Sequence, residues 1–100
     1  MVIMFDAELW IWDARQTDSW TFVSLPVDAS EDIRQMTAGD RRGFGSVRVR
    51  VTIGGSTWKT SIFPDSTQGR YVLPVKRAVR TAEDIEAGDS ATVTVELVDL

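Results

Sequence analysis

Four polar residues on one predicted hairpin form the first candidate for chemistry. Val47, Val49, Val51 and Ile53 alternate with Arg48, Arg50 and Thr52. A strand of that pattern puts the branched aliphatics on one face and both arginines on the other. Gly54-Gly55 follows and signals a two-residue turn. Such a turn fixes the register of the returning strand. Ile53 should face Ser56, Val51 Trp58, Val49 Thr60 and Val47 Ile62, with Arg50 opposite Lys59 and Arg48 opposite Ser61. The apolar sets then coincide on one face, which supports the register. Arg50 and Lys59 become directly opposed like charges, which is unfavourable. Two arrangements would offset the repulsion. Acids on neighbouring strands (Asp6, Glu8 or Glu96) would pair with them, which is the simpler expectation. Alternatively, Arg48, Arg50, Lys59 and Ser61 would hold an anion such as a phosphate, a carboxylate or a nucleic-acid backbone.

Arg41-Arg42-Gly43-Phe44-Gly45-Ser46 is a second candidate anion site, because glycine backbone N–H groups beside two arginines can hold a phosphate. No Lys-Ser or Lys-Thr follows at P-loop spacing, so a solvated loop is the plainer expectation. Trp10 and Trp12 share the face opposite Leu9 and Ile11, which makes the end of that strand apolar on both sides. Either a helix or loop covers the two tryptophans, or they form a patch for a partner or an aromatic ligand. Trp58 belongs to the core face of its strand, and Trp20 with Phe22 is expected there too.

Catalytic chemistry is narrowly bounded. The chain has no histidine and no cysteine. That removes the commonest general base near neutral pH, the commonest zinc ligand, thiol nucleophiles and disulfides. Lys59 and Ser61 share a strand face, but a lysine base needs burial, and this one lies beside arginines. The carboxylates show no EF-hand spacing, and Asp84, Glu86 and Asp89 read as decoration of a helix end and a turn. No catalytic residue, metal site or cofactor is therefore expected, and an enzyme is the least favoured class.

The elements that would position these residues are mostly strands. Ile3, Phe5, Ala7, Leu9 and Ile11 alternate with polar residues through Trp12 and predict a strand. Residues 20–25 predict a second, ending at Pro26, and the two are expected to form a hairpin. Residues 28–36 predict a short helix, capped by Asp28 or Ser30 and ended by Gly39, with Ile33 and Met36 on one face. Strands follow over 47–53, 56–63 and 70–75, with a turn at 64–69. Residues 76–80 read as a helical turn, Thr81 and Asp84 have capping-box spacing, and residues 91–98 form a last strand. The order β-β-α-β-β-β-α-β makes the fold mainly β. It suits a small six-stranded closed or partly open barrel with one or two short helices.

One hundred residues make one domain, residues 1–100. No apolar run reaches the roughly 18 residues of a membrane span, and the first residues carry no basic leader. The expectation is a cytoplasmic protein with no membrane role, as monomer or homodimer. The net charge of −4 is unevenly distributed. Residues 41–80 carry nine bases and one acid, whereas residues 1–40 carry eight acids and two bases and residues 81–100 six acids and no base. A basic middle set between acidic ends permits nucleic-acid contact through Arg41, Arg42, Arg48, Arg50, Lys59, Arg70, Lys76, Arg77 and Arg80. The acidic ends oppose it.

Several segments together resemble a bacterial family classed as a domain of unknown function. They are Trp20-Thr21-Phe22-Val23-Ser24-Leu25-Pro26, Gly43-Phe44-Gly45-Ser46-Val47-Arg48-Val49, and Ile53-Gly54-Gly55-Ser56-Thr57-Trp58-Lys59-Thr60-Ser61. Tyr71-Val72-Leu73-Pro74-Val75-Lys76 and Gly88-Asp89 complete the set. The resemblance implies a small β-barrel. Some members are fused to a C-terminal domain named for bacteriocin protection or association with the outer-membrane protein OmpD, and this chain is similar to the stand-alone form. It implies no catalytic residue. The stretch Leu73 to Arg80, with Ile85 and Gly88-Asp89, is also similar to swapped-hairpin barrels of the AbrB and MazE type, which bind DNA. The expected function is a non-enzymatic module that binds a small anionic ligand or a protein partner. An AbrB/MazE-like nucleic-acid-binding barrel is the alternative.

Overall fold

The computed structural model describes residues 1–12, 20–37 and 45–98. These residues form seven strands and two helices: β1 (Val2–Glu8), β2 (Trp10–Ile11), β3 (Thr21–Ser24), α1 (Val27–Met36), β4 (Val47–Ile53), β5 (Ser56–Asp65), β6 (Arg70–Pro74), α2 (Arg77–Glu83) and β7 (Ser90–Leu97). The strands make one curled half-barrel sheet in the order β1-β7-β4-β5-β6-β3-β2, and every neighbouring pair is antiparallel. No helix among the described residues is long and apolar enough to cross a membrane.

The mainly β architecture agrees with the sequence pattern, but the strand count is seven, not six. The extra strand arises at Leu9. Its N–H donates to the Asp89 carbonyl at 2.9 Å, and its own carbonyl accepts from Gly88 N–H at 2.8 Å. Up to Glu8 the chain pairs with β7, and from Trp10 it pairs with β3. One continuous alternating segment thus supplies both edge strands of the sheet. The expected first hairpin is limited to Trp10↔Phe22 and Ile11↔Thr21. Side-chain alternation cannot reveal such a change, because it survives when the hydrogen-bonding partner switches.

The β4–β5 hairpin has the register that the Gly54-Gly55 turn demands, from Ile53↔Ser56 out to Val47↔Ile62. Gly54 adopts φ 58°, a left-handed conformation that a two-residue hairpin turn requires and that glycine adopts without steric cost. Val47, Val49, Val51 and Ile53 are all buried, and they join Val93, Val95 and Leu97 of β7 and Ile62, Tyr71, Leu73 and Val75 in one core. Burying each such aliphatic side chain contributes about 1.5–3 kcal/mol, so this face dominates the stability of the sheet.

Three sequence expectations about facing are corrected. Trp20 and Phe22 are not on the core face. Thr21, Val23 and Leu25 are buried there, while Trp20 is 60% exposed. The inside of the curled sheet is filled by compact aliphatics, and Phe22 finds a cross-strand aromatic partner in Trp10 on the outside. Ile11 is likewise exposed rather than core. Of the pair Ile33 and Met36, only Ile33 is buried.

The helix ends also differ from expectation. α1 begins after Pro26 with no side-chain cap. Ser30 is already inside the helix, and its Oγ accepts a hydrogen bond from the backbone N–H of Tyr71 at 3.0 Å, tying α1 to β6. Thr37 closes the helix, donating from both its N–H and its Oγ to the Ile33 carbonyl. Gly39, expected to do this, lies outside the described residues. Thr81 sits within α2 and Asp84 is its C-cap in the left-handed conformation, so the two form no capping box.

Candidate binding cleft

β5 pairs with β4 along its first seven residues and with β6 only from Phe63 to Asp65. Between Ser56 and Ile62 the other side of β5 has no ladder partner among the described residues. β6 meanwhile runs on beside β3 and turns into α2. The two halves of the sheet therefore splay apart, and a cleft of about 390 Å³ opens between them. Thr21, Trp58, Thr60 and Val75 form its walls, and these lie on or near the inner face of the half-barrel. Trp20, Lys59, Pro74, Lys76, Arg77 and Arg80 line the rest. Four of the lining residues are cationic, and no acid is among them.

Local structure explains this gathering of charge. Lys59 alternates outward from Trp58 on β5. Lys76 is the N-cap residue of α2, and Arg77 and Arg80 are three apart on it, hence on neighbouring turns of one side. Arg80 Nε donates to the Val75 carbonyl at 3.1 Å, which holds the guanidinium at the mouth of the cleft. The far end of α2 is secured by Glu83, whose carboxylate accepts from Gly55 N–H at 3.2 Å and from Ser56 Oγ at 2.6 Å. α2 is thus fixed at both ends between β6 and the β4–β5 turn.

An aromatic shelf adjoins the cleft. Trp10 and Phe22 stack with ring centroids 5.1 Å apart, and Phe22 and Trp20 with centroids 6.1 Å apart. Trp10 is anchored by its Nε1, which donates to Ser24 Oγ at 3.0 Å. Ser24 Oγ donates in turn to Gln68 Oε1 at 2.6 Å, and Gln68 Nε2 donates to Asp65 Oδ2. Trp12 is 67% exposed and Phe63 40%. Together with Pro64, Asp65 and Ser66 these rings line a second hollow of about 410 Å³. Trp20 lines both hollows.

The residues singled out from sequence are distributed as follows. Arg48, Arg50, Lys59 and Ser61 occupy the outer face of the β4–β5 hairpin. Arg50 is committed internally, its Nη1 lying 2.8 Å from Glu96 Oε1 on β7. Asp6 instead accepts from the Thr92 hydroxyl, and Glu8 stands opposite Ser90. Arg48 and Lys59 have no ion pair among the described residues. Lys59 alone of the four lines the cleft, and its exposure leaves it without the dry surroundings that a lysine base needs. Arg41 and Arg42 lie outside the described residues. Arg70 is on β6 opposite Asp65, with its Nε buried and unpartnered among the described residues. Trp10 and Trp12 are on the aromatic shelf. Asp89 Oδ2 accepts from the Glu86 N–H within a turn. No group of acids that could hold a metal ion occurs among the described residues.

Sequence reasoning missed the combination of Lys59 with Lys76, Arg77, Arg80, Trp20 and Trp58. The spacing of Lys76, Arg77 and Arg80 was a usable signal for a one-sided basic helix. Their approach to β5 depends on the splaying of the sheet, which leaves no trace in composition.

No curated protein matches the chain in sequence. The profile of the family described as "Domain of unknown function (DUF1905)" matches residues 5–95, which takes in both sheet edges, the cleft and the shelf, and the chain belongs to that family.

Proposed function

We propose that the protein is a non-enzymatic binding module that holds a small anionic ligand in the cleft between β5 and the β6–α2 junction. One observation carries the reading: Lys59, Lys76 and Arg80 and two tryptophans line a single concavity that no acid lines among the described residues, in a chain of net charge −4. Like charges are gathered there against the overall balance, and bringing them together costs free energy that a bound anion would recover. The cavity volume falls at the lower end of the roughly 300–1,000 Å³ typical of small-molecule sites. Absence of histidine and cysteine favours binding over catalysis.

The test is a screen of small anions, both aryl carboxylates and organic phosphates, by calorimetry at low salt. Wild type is compared with Lys59→Glu, an exposed position whose change should leave the fold intact. Binding that weakens in the variant supports the reading. Failure of every anion to bind, or equal binding by the variant, overturns it.

A further inference from the structure

We infer that the ligand of the cleft is a nucleotide, with its base stacked on Trp20 and its phosphate held by Lys59, Lys76 and Arg80. The inference rests on the reading of the cleft as the binding site and names the chemistry that the site selects. The ring stack supplies the first argument. Trp10, Phe22 and Trp20 pile in that order, with interplanar angles of 27° and 19°. Trp20 stacks on Phe22 and is itself 60% exposed. Trp20 also lines the cationic cleft. A further planar ring can therefore continue the pile at the place where the cations are. Stacking of a base on an aromatic side chain is favourable and tolerant of base identity.

Charge supplies the second argument. A carboxylate presents one negative charge, and one guanidinium or ammonium satisfies it. Here Lys59 borders the cleft from β5, while Lys76 and Arg80 border it from the β6–α2 junction. Cationic residues that border one cleft from two separate elements suit a group with several acceptor oxygens and close to two charges, as a phosphate monoester has. The Arg80 guanidinium is oriented by its bond to the Val75 carbonyl and keeps further N–H donors. Thr21 and Thr60 add hydroxyls to the walls for the polar edges of a base or sugar. The second hollow, beyond Trp20, carries aromatics and Asp65 but no cation. The geometry therefore accommodates one phosphate, with room for a neighbouring base on the shelf.

The experiment is isothermal calorimetry at low salt on the intact chain, with five probes: adenosine monophosphate, adenosine, inorganic phosphate, naphthoate and a short oligothymidylate. Adenosine monophosphate should bind, with adenosine and phosphate each at least about tenfold weaker, because each lacks one of the two contacts. Trp20→Ala and Lys59→Glu should each weaken the nucleotide about tenfold. Both positions are exposed, and proton spectra of the variants verify folding. Tighter binding of the oligothymidylate than of the mononucleotide supports the inference and makes a single strand the source. The reverse order supports it with a free nucleotide as the source. Naphthoate binding without nucleotide binding overturns the inference but leaves the anion-binding cleft standing. Silence from all five probes overturns both. Equal affinity of adenosine monophosphate and inorganic phosphate, or an unaffected Trp20→Ala, also overturns the inference.

Discussion

The latch between Glu83 and the β4–β5 turn gives a quantitative test of how the cleft is held. Glu83 accepts two hydrogen bonds from the turn, one to the Gly55 N–H and one to the Ser56 hydroxyl, across 27 to 28 residues of sequence. Hydrogen bonds to a charged acceptor contribute roughly 1.5–3 kcal/mol when buried. These are part-exposed and one is long, so Glu83→Ala should cost about 1–2 kcal/mol for the pair. Gly54→Ala acts in two ways. At φ 58° an L-residue carries about 1–2 kcal/mol of left-handed strain. The new Cβ would also fall on the Glu83 carboxylate oxygen Oε1. That oxygen is the end of a flexible side chain, so it swings away and the latch is lost. Gly54→Ala should therefore cost about 2–4 kcal/mol in the wild-type background but only about 1–2 kcal/mol when Glu83 is already alanine. Urea denaturation of the four proteins measures the difference, which should be a coupling of about 1–2 kcal/mol. Strictly additive costs would refute the latch, and with it the reason given for the position of α2.

Other substitutions probe the sheet and its attachments. Ser30→Ala removes the hydroxyl that accepts from the buried Tyr71 N–H and should cost about 1–3 kcal/mol by thermal or urea unfolding; a change within error would mean that the α1–β6 tie carries no weight. Leu73→Ala opens a cavity at a fully buried position and should cost about 2–5 kcal/mol by the same measurement. Glu96→Gln should destabilise more than Arg50→Gln, although each is within about 1 kcal/mol. The first leaves Arg50 facing Lys59 without an offsetting acid, and the second removes that repulsion along with the pair. The difference should shrink at high salt, and the reverse order would contradict the charge argument.

Much of the fold is legible in the residues because period-two alternation is strong. The β4–β5 register follows from Gly54-Gly55 and four alternating aliphatics, and β7 from Ala91, Val93, Val95 and Leu97. Trp20 and Phe22 mislead because a large apolar side chain suggests burial. On β3 the alternation itself favours neither face, since Thr21, Val23 and Leu25 compete with Trp20, Phe22 and Ser24. Only the pairing of Trp10 with Phe22 resolves it, and that pairing depends on the partner switch at Leu9. The cleft is less legible for a related reason. The hairpin register groups Lys59 with Arg48 and Arg50. Its association with Lys76 and Arg80 arises where β5 parts from β6, a property of sheet curvature and of no single segment.

The central claim is that an anion is held between β5 and the β6–α2 junction, and the indole N–H resonances of the four tryptophans test it most directly. Trp20 and Trp58 line the cleft, whereas Trp10 and Trp12 line only the neighbouring hollow. A two-dimensional ¹H–¹⁵N titration of labelled protein with adenosine monophosphate should shift the Trp20 and Trp58 indoles most, together with the backbone amides of Lys59, Thr60 and Lys76. Shifts confined to Trp10 and Trp12, or to the outer face at Arg48 and Ser61, would place binding elsewhere and contradict the account.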